Sequence, residues 1–371
     1  MTDINNKKIT FLISTLGGGG AEGVCVNLAN ALAECGWAVT LVVLHMNNSV
    51  FHDRLSDKVE LVVLGINHAR YAFGGLRRFL REYQPEKVLV FNYELAVLLV
   101  AVRVLTRQKF KIIARNVNTL SHNRRLSKGF WHKQIVNRLV DELYCKVDHV
   151  INQCEGMRED LIMLYPGLAD RSSVIYNPVN QMVADTAQRI NSSLVQKEDY
   201  LLCVGRLEPQ KAFHYAIEAF AKIEVTYPSL RLKIVGTGSL ETDLKTLVKR
   251  LGIVERVDFE GFKKDMIPYY LKARATVLTS LYEGFPNVLV ESITLGTPVV
   301  AFDCPSGPSE IIQQGVNGFL VNYQDHTHLV LSLHSVLTKS FNTEIVSATS
   351  NSYSIDHILD QYIRSIGLST V

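Results

Sequence analysis

Short apolar runs that alternate with helix-like segments are the feature that most constrains this chain. The runs of the first half are rich in Val, Ile and Leu and are predicted to be strands at Lys8 to Thr15, Trp37 to Leu44, Val59 to Leu64, Lys87 to Phe91, Lys111 to Ala114, His149 to Gln153 and Ser173 to Val179. Alternation of this kind is typical of a parallel sheet with helices on both faces. The first half is therefore predicted to be a doubly wound α/β domain.

The second half repeats the pattern. Its predicted strands are Tyr200 to Arg206, Arg231 to Val235, Val257 to Gly261, Ala275 to Ser280 and Val299 to Phe302. A chain of 371 residues is too long for one ordinary core. We predict one Rossmann-like domain at 1–182 and another at 198–352. The polar segment 183–197, which lacks periodicity, is the predicted linker, and 353–371 is the predicted C-terminal helix.

Composition predicts a soluble protein of the reducing cytoplasm. The chain is 47% hydrophobic and 20% charged, and no charged-then-apolar leader opens it. Its most apolar helix candidate, Leu95 to Val102, is interrupted by Arg103 and is far shorter than the ~20 residues that span a bilayer. Six cysteines without a Cys-x-x-Cys pair suggest neither a disulfide framework nor a zinc site.

Positive charge is concentrated in the first half. Residues 1–180 contain 22 Lys and Arg against 16 Asp and Glu, and the segment 103–140 contains ten Lys and Arg with no acidic residue. A second basic cluster shares one short predicted helix and consists of Arg70, Arg77, Arg78 and Arg81. The run matches no nucleic-acid-binding motif. The alternatives are a solvated basic face and, as we predict, a surface that docks on anionic lipid.

A glycine-rich loop follows the first strand. Gly17 to Gly20 stand between that strand and a helix from Ala21, an order typical of phosphate binding. Gly18, Gly20 and Gly23 satisfy the G-x-G-x-x-G pattern of dinucleotide sites. Such a site also needs an acidic residue at the end of the next strand, where this chain has His45. The lack of an acidic residue at that position weakens the alternative of an NAD-dependent oxidoreductase, which nevertheless remains open.

Two glutamates with seven residues between them mark the second half. Glu283 lies in the loop after a predicted strand, and Glu291 lies one turn into a helix predicted from Val288 to Leu295. Pro286 and Asn287 are typical helix-entry residues, with Asn287 as the cap. The helix N-terminus carries about half a positive charge and suits a phosphate, while the carboxylates can accept hydroxyl hydrogen bonds. This combination favours a sugar nucleotide.

Two cations flank the first loop of the second half. Arg206 ends the strand that begins at Tyr200, and Lys211 follows five residues later, before the next helix. Side chains placed in this way can converge on one anion. We predict that they bind a diphosphate.

These motifs resemble the signature of the retaining glycosyltransferases of family four. The resemblance rests on Leu281 to Ser292, Gly296 to Val300 and Ser306 to Glu310, and it extends from Gly17 to about Asn322. It implies the GT-B fold, in which two doubly wound domains face each other across a cleft. It also implies that the second domain holds the donor, that the first holds the acceptor, and that the C-terminal helix crosses back to the first domain.

The resemblance assigns a role to each candidate residue. Glu283 would contact the donor sugar, Glu291 the ribose, and Arg206 and Lys211 the diphosphate. The predicted catalytic residues are Glu283, Arg206 and Lys211. The predicted donor-binding residues are Gly18, Gly19, Gly236, Phe262, Lys263, Phe285, Pro286, Asn287, Val288, Leu289 and Glu291. The predicted acceptor-binding residues are Arg115, Asn116 and Asn118.

The chain departs from the family pattern at three places. Many members have arginine where this chain has Gly23, and often a Glu-His or His-Asn pair where it has Arg115 and Asn116. Glycine usually follows the lysine, but Ala212 stands here. We expect alanine to be tolerated at that position if its backbone angles are ordinary.

The resemblance implies a reaction as well. We expect retaining transfer of a hexose or N-acetylhexosamine from a nucleotide sugar, with UDP as the nucleotide, to a saccharide on undecaprenyl diphosphate. O-antigen or capsule assembly at the inner face of the cell membrane would be the setting. The chain has no Asp-x-Asp, and we expect neither a metal nor another cofactor, since the nucleotide sugar is a substrate. Two more classes stay open, a glycosidase with paired carboxylates and a sugar-nucleotide-binding protein without activity.

Overall fold

A computed structural model describes residues 7–117, 119, 137–190 and 192–366. The chain divides into two compact units. The first unit comprises residues 1–178 together with 355–371, and the second comprises 179–354. Each unit is an α/β structure organised on one parallel sheet, as the alternating pattern predicts.

The described part of the first unit forms a seven-stranded parallel sheet. Its strands are β1 Lys8–Ile13, β2 Ala38–Val43, β3 Glu60–Val63, β4 Lys87–Val90, β5 Lys111–Arg115, β6 His149–Asn152 and β7 Ser172–Val174. They lie in the order β3-β2-β1-β4-β5-β6-β7, so the direction of winding reverses between β1 and β4. Thr10 is in register with Thr40 on one side and with Val88 on the other.

Helices cover both faces of this sheet. They are α1 Gly20–Glu34, α2 Phe73–Tyr83, α3 Tyr93–Thr106, α4 Asn137–Tyr144, α5 Glu155–Leu164 and the C-terminal helix, α14 Ile355–Ser365. Phe11 packs in one core with Leu359 of α14, whereas its neighbour Leu12 packs in another with Leu76 of α2. Alternate side chains of β1 thus supply two separate cores.

The second unit has a six-stranded parallel sheet. Its strands are β8 Tyr200–Val204, β9 Arg231–Val235, β10 Val257–Gly261, β11 Ala275–Leu278, β12 Val299–Phe302 and β13 Gly318–Val321. Their order is β10-β9-β8-β11-β12-β13, with the reversal between β8 and β11. Its helices are α6 Gln181–Arg189, α7 Phe213–Ile223, α8 Glu241–Arg250, α9 Ile267–Lys272, α10 Asn287–Thr294, α11 Pro308–Ile311, α12 His326–Thr338 and α13 Thr343–Ala348.

The helix α6 and the strand β13 are among the elements of the second unit that were not predicted. Residues 183–189, placed in the irregular linker, belong to α6, which the Asn180 side chain caps by accepting a hydrogen bond of 2.9 Å from the Met182 amide. The unpredicted strand β13 begins at Gly318, where a Cβ would lie 2.0 Å from the Val299 carbonyl oxygen. A short, partly exposed helix and a strand that needs glycine both carry a weak hydrophobic pattern.

Candidate active site

The reversal of strand order in the second unit brings two loops together at the carboxyl edge of the sheet. The loop after β8 leads through a 3-10 turn, Pro209–Lys211, and the loop after β11 contains Glu283. Open α/β sheets bind their ligands at such a reversal. The structure therefore brings Lys211 and Glu283, which are 72 residues apart, into contact at this strand reversal.

Lys211 and Glu283 form an ion pair of low exposure. Lys211 Nζ lies 2.5 Å from Glu283 Oε1, and the two side chains are 15% and 8% exposed. Ser280 Oγ donates to the same oxygen at 2.5 Å. Removing one partner of a buried ion pair typically costs about 3–5 kcal/mol, because the other charge is left without compensation.

Backbone contacts hold the two loops against each other. The buried Thr279 hydroxyl donates to the carbonyl oxygens of Lys211 and Ala212, at 3.2 and 3.1 Å. The Leu281 amide donates to the Gln210 carbonyl oxygen at 2.8 Å. These bonds fix the position of Lys211 relative to the loop after β11, which contains Ser280.

Ala212 has unusual backbone angles. We expected alanine to be tolerated at this position if its backbone angles were ordinary, and they are not. Its φ is 42° and its ψ is 45°, in the left-handed region, and it is the N-cap of α7. An L-residue in this conformation costs roughly 1–2 kcal/mol relative to the right-handed one. The glycine typical of the family avoids that cost, whereas this chain retains a buried methyl group in its place.

Arg206 stands in different surroundings from Lys211. It is exposed, and its guanidinium forms no hydrogen bond or ion pair with the described part of the chain. Two residues further on, the Glu208 carboxylate accepts hydrogen bonds from the Ser239 amide and hydroxyl at 3.0 and 2.7 Å. These bonds hold the pKa of Glu208 below its ordinary value. The loop is thereby tied to the start of α8, with Arg206 at the surface.

The helix α10 begins beside Glu283. Pro286 is its N-cap, so Asn287 is the first helical residue and not the predicted cap. Proline offers no side-chain acceptor, and the Asn287 and Leu289 amides donate to the Phe285 and Pro286 carbonyl oxygens, at 3.0 and 2.9 Å. The helix dipole still favours an anion at this end. One turn later, Glu291 Oε2 accepts a hydrogen bond of 3.0 Å from the Tyr270 hydroxyl. Tyr270 is fully buried, and burial followed by the Glu291 charge raises its pKa well above the ordinary value.

The loop before α10 packs into the interior. Phe285 is 6% exposed, and its ring centroid lies 5.5 Å from that of Tyr353. Gly307 has a φ of 101°, and a Cβ there would lie 2.5 Å from Pro286 Cδ. Leu289 is buried and Val288 is partly exposed. The Phe285 and Leu289 side chains are therefore turned into the interior. Of this loop, mainly the backbone can contact a ligand at this edge of the sheet.

The remaining predicted donor residues of the second unit lie after β9 and β10. Gly236 has a φ of 142°, and a Cβ there would be 1.9 Å from the Gly205 carbonyl oxygen, so the close approach of the two loops requires glycine. Phe262 is 61% exposed. Lys263 Nζ lies 3.2 Å from Glu260 Oε2. The aromatic ring of Phe262 is available to a planar ligand group at this edge.

The glycine-rich loop belongs to the first unit. Gly19 is the N-cap of α1 and has a φ of −91°, and none of Gly17 to Gly20 adopts the left-handed region. Gly18 and Gly19 lie directly before the N-terminus of this helix. A Cβ on Gly23 would meet the Phe51 ring at 3.3 Å, so the arginine that many family members carry would require Phe51 to move.

The predicted acceptor residues Arg115 and Asn116 are engaged inside the first unit. Arg115 is 1% exposed, and its guanidinium donates to the Tyr362 hydroxyl at 2.6 Å and to the Asn177 side chain. Asn116 is 3% exposed and accepts a hydrogen bond of 2.7 Å from the Tyr144 hydroxyl. Neither side chain is accessible to an acceptor in this arrangement. Asn118 lies outside the described residues.

Sequence reasoning did not identify Ser280, Tyr270 or Thr279. Ser280 and Thr279 are polar residues at the end of an apolar strand, a position that could have drawn attention to them. Tyr270 lies in a short helix that the sequence pattern did not reveal, so no signal pointed to it. Within the described ranges, no three His, Cys, Asp or Glu side chains are grouped closely enough to hold a metal ion.

Two protein-family models match the chain, one in each half. The model described as "Glycosyltransferase Family 4" matches residues 18–181, and that described as "Glycosyl transferases group 1" matches residues 185–350. These models show a glycosyltransferase, and the two doubly wound units have the GT-B fold of the solved structures to which the chain is similar. The two models together match most of the chain, which belongs to the glycosyltransferases that they describe.

Two relatives and one solved structure align with nearly the whole chain. An uncharacterized glycosyltransferase of Haemophilus influenzae is 26% identical over 96% of this chain and 99% of its own. A Campylobacter jejuni α-1,4-N-acetyl-D-galactosaminyltransferase, whose name gives its acceptor as a saccharide on diphospho-undecaprenol, is 26% identical over 97% and 98%. The crystal structure of Anabaena HepE in complex with UDP-glucose is 20% identical, with a TM-score of 0.75 over 98% and 100%.

Proposed function

We propose that this protein transfers a hexose or N-acetylhexosamine from a UDP-sugar to a saccharide carried on undecaprenyl diphosphate, with retention of the anomeric configuration. The observation that supports it most directly is the convergence of Lys211, Glu283 and the start of α10 at the strand reversal of the second unit. Two cations and a helix N-terminus suit a diphosphate, and a carboxylate of low exposure suits sugar hydroxyls.

The chemistry follows from charge. The bond between the anomeric carbon and a diphosphate oxygen breaks, and the acceptor oxygen bonds to that carbon on the same face. The acceptor proton passes to the departing phosphate. Lys211, Arg206 and the N-terminal dipole of α10 stabilise the negative charge that develops on the leaving diphosphate. Glu283 orients the sugar, and Glu291, held by Tyr270, binds the ribose.

Stabilisation of the leaving group by protein cations supports a reaction without metal. Phe262 and Lys263 are proposed to contact the base, and Gly236 to line the donor site of the second unit. No resident cofactor enters the proposal, because the nucleotide sugar is consumed.

The acceptor and the setting are proposed from the relatives and from charge. The Campylobacter jejuni relative acts on an undecaprenol-linked saccharide, as its name states. The basic first half of this chain suits a protein that reaches such an acceptor at an anionic membrane surface. No helix in the described ranges is long and apolar enough to cross a membrane. We propose attachment to the inner face of the cell membrane, during O-antigen or capsule assembly.

The test is a binding and turnover screen. Purified protein is titrated with UDP-glucose, UDP-galactose, UDP-N-acetylglucosamine, UDP-N-acetylgalactosamine, GDP-mannose and ADP-glucose, with EDTA present, and melting temperature and slow release of free sugar are followed. We expect one UDP-sugar to stabilise the protein and to be hydrolysed slowly. If none of the six sugar nucleotides binds, the proposed donor site is wrong. Binding that appears only when Mg²⁺ or Mn²⁺ replaces EDTA would overturn metal independence.

A further inference from the structure

The ion pair at this site occupies the lysine that a diphosphate would need. Lys211 and Ser280 both contact Glu283 Oε1, and no described residue hydrogen-bonds Glu283 Oε2. The Arg206 guanidinium has no hydrogen-bonding or ion-pair partner within the described ranges. Of the two cations predicted to bind the diphosphate, only Arg206 is therefore unengaged. A phosphate that binds Lys211 therefore competes with Glu283 for the same ammonium charge and weakens that contact.

We propose that the Lys211–Glu283 ion pair makes this site select an intact sugar nucleotide over the nucleoside diphosphate alone, an inference that rests on the proposed function. A nucleoside diphosphate that draws Lys211 away leaves Glu283 with one neutral donor, Ser280, beside newly bound negative charge. A carboxylate of 6% exposure is poorly solvated there, which opposes binding.

The sugar of an intact donor removes this obstacle. Its hydroxyl groups donate to Glu283 and replace the hydrogen bonds that Lys211 gives up. Diphosphate and sugar therefore bind together more favourably than either does alone. After transfer the sugar has left, the ion pair forms again, and the product diphosphate is displaced. The same contact that lowers product affinity thus favours product release.

Ser280 is a positioning residue in this exchange. Its hydroxyl is fully buried and is the only described donor that remains with Glu283 when Lys211 moves. Loss of that hydroxyl makes Glu283 depend entirely on Lys211 in the absence of sugar. Removal of the Glu283 charge makes Ser280 irrelevant to diphosphate binding. The two substitutions therefore have opposite and coupled effects on UDP affinity.

Isothermal titration with UDP and with the UDP-sugar selected by the screen tests the proposal. We expect Glu283→Gln to bind UDP at least tenfold more tightly than the natural protein, with a change of less than threefold for the UDP-sugar. Ser280→Ala should weaken UDP binding at least threefold, and this loss should disappear in the double variant. The matched control is Glu241→Gln, which removes the carboxylate of an exposed ion pair with Lys245 in the same unit.

The outcomes separate the two proposals. Equal or weaker UDP binding by Glu283→Gln, with the natural protein still binding UDP and the UDP-sugar, overturns the exchange and leaves the proposed function intact. No nucleotide binding by the natural protein overturns the proposed function itself. A Glu241→Gln variant that also binds UDP more tightly would show a general charge effect and overturn the specific role of the ion pair. If Ser280→Ala does not fold, the comparison of Glu283→Gln with Glu241→Gln still decides.

Discussion

Lys197 shows how a single residue is affected by its surroundings. Its ammonium donates to the Leu271 carbonyl oxygen at 2.8 Å and to Thr297 Oγ1 at 2.5 Å, and it has no carboxylate partner in the described part of the chain. Burial without an opposite charge lowers the pKa of Lys197 to about 8. In the unfolded chain the pKa of the same group is near its ordinary value of 10.5. Folding therefore favours the neutral amine.

This difference predicts a pH-dependent stability. Because the unfolded chain binds more protons between pH 8 and 10.5, the cost of the protonated lysine is fully present below pH 8 and is relieved as the pH rises through that window. We expect the free energy of unfolding of the natural protein, relative to Lys197→Met, to rise by about 1–2 kcal/mol between pH 7.5 and 10, a figure reduced for partial exposure. Urea titrations at several pH values measure it. Lys245→Met, at an exposed lysine, is the control, and an equal pH trend in both variants would contradict the prediction.

At the scale of elements, α2 and the end of α3 form a basic pocket. Its volume is about 520 Å³, and its walls are Phe73, Arg77, Arg81, Leu105, Thr106 and Gln108. The side chains of Arg77, Arg78 and Arg81 have no hydrogen-bonding or ion-pair partner in the described ranges. Leu105 is 72% exposed beside them. Free guanidinium groups next to exposed apolar side chains suit the proposed contact with an anionic lipid surface.

Liposome flotation tests this surface. We expect vesicles that contain anionic lipid to retain the protein at low salt and release it at high salt, since each cation near the surface contributes about 1 kcal/mol. Arg77→Glu with Arg81→Glu should reduce retention at least tenfold. Lys222→Glu with Lys249→Glu, an equal charge change on the second unit, is the control. Binding that ignores lipid charge, or an equal loss in both double variants, would defeat the proposal.

At the scale of the whole molecule, the chain returns to its first unit at its end. Residues 355–371 belong to that unit, and Ile358 and Tyr362 of α14 are buried in the core that contains Trp37. Arg115 at the end of β5 donates to the Tyr362 hydroxyl at 2.6 Å and stacks over Phe91 at 5.4 Å. A buried guanidinium thus joins the sheet to a helix 247 residues away in the sequence.

Removal of the Tyr362 hydroxyl should destabilise the first unit selectively. Tyr362→Phe leaves the Nε donor of Arg115 buried without its partner, which we expect to cost about 1–3 kcal/mol. Urea unfolding followed by tryptophan fluorescence reports on this unit, because Trp37 and Trp131 both lie in its sequence. Gln361→Ala, one residue away and only partly buried, should change stability by less than about 0.5 kcal/mol. Equal effects of the two substitutions would contradict the role of the Arg115–Tyr362 contact.

The sequence was sufficient for the architecture and for the identity of the principal side chains. Runs of β-branched residues alternating with helical periods predict parallel sheets, because that pattern depends on neighbours in sequence. The spacing of Glu283 and Glu291 and the position of Lys211 after β8 are equally local, and they indicated the candidate site, which remains a prediction. Segments with weak patterns were missed, among them α6, α9 and β13.

Contacts between distant residues were decided only by the tertiary structure. The sequence placed Arg206 and Lys211 together and Arg115 at an acceptor site, whereas the fold pairs Lys211 with Glu283 and buries Arg115 against Tyr362. It also puts Ala212 in a left-handed conformation. The partner of each charged side chain depends on the order of the strands in the sheet and on the rotamers that packing selects. Local sequence therefore determined the residues of the site, and the three-dimensional fold determined their partners.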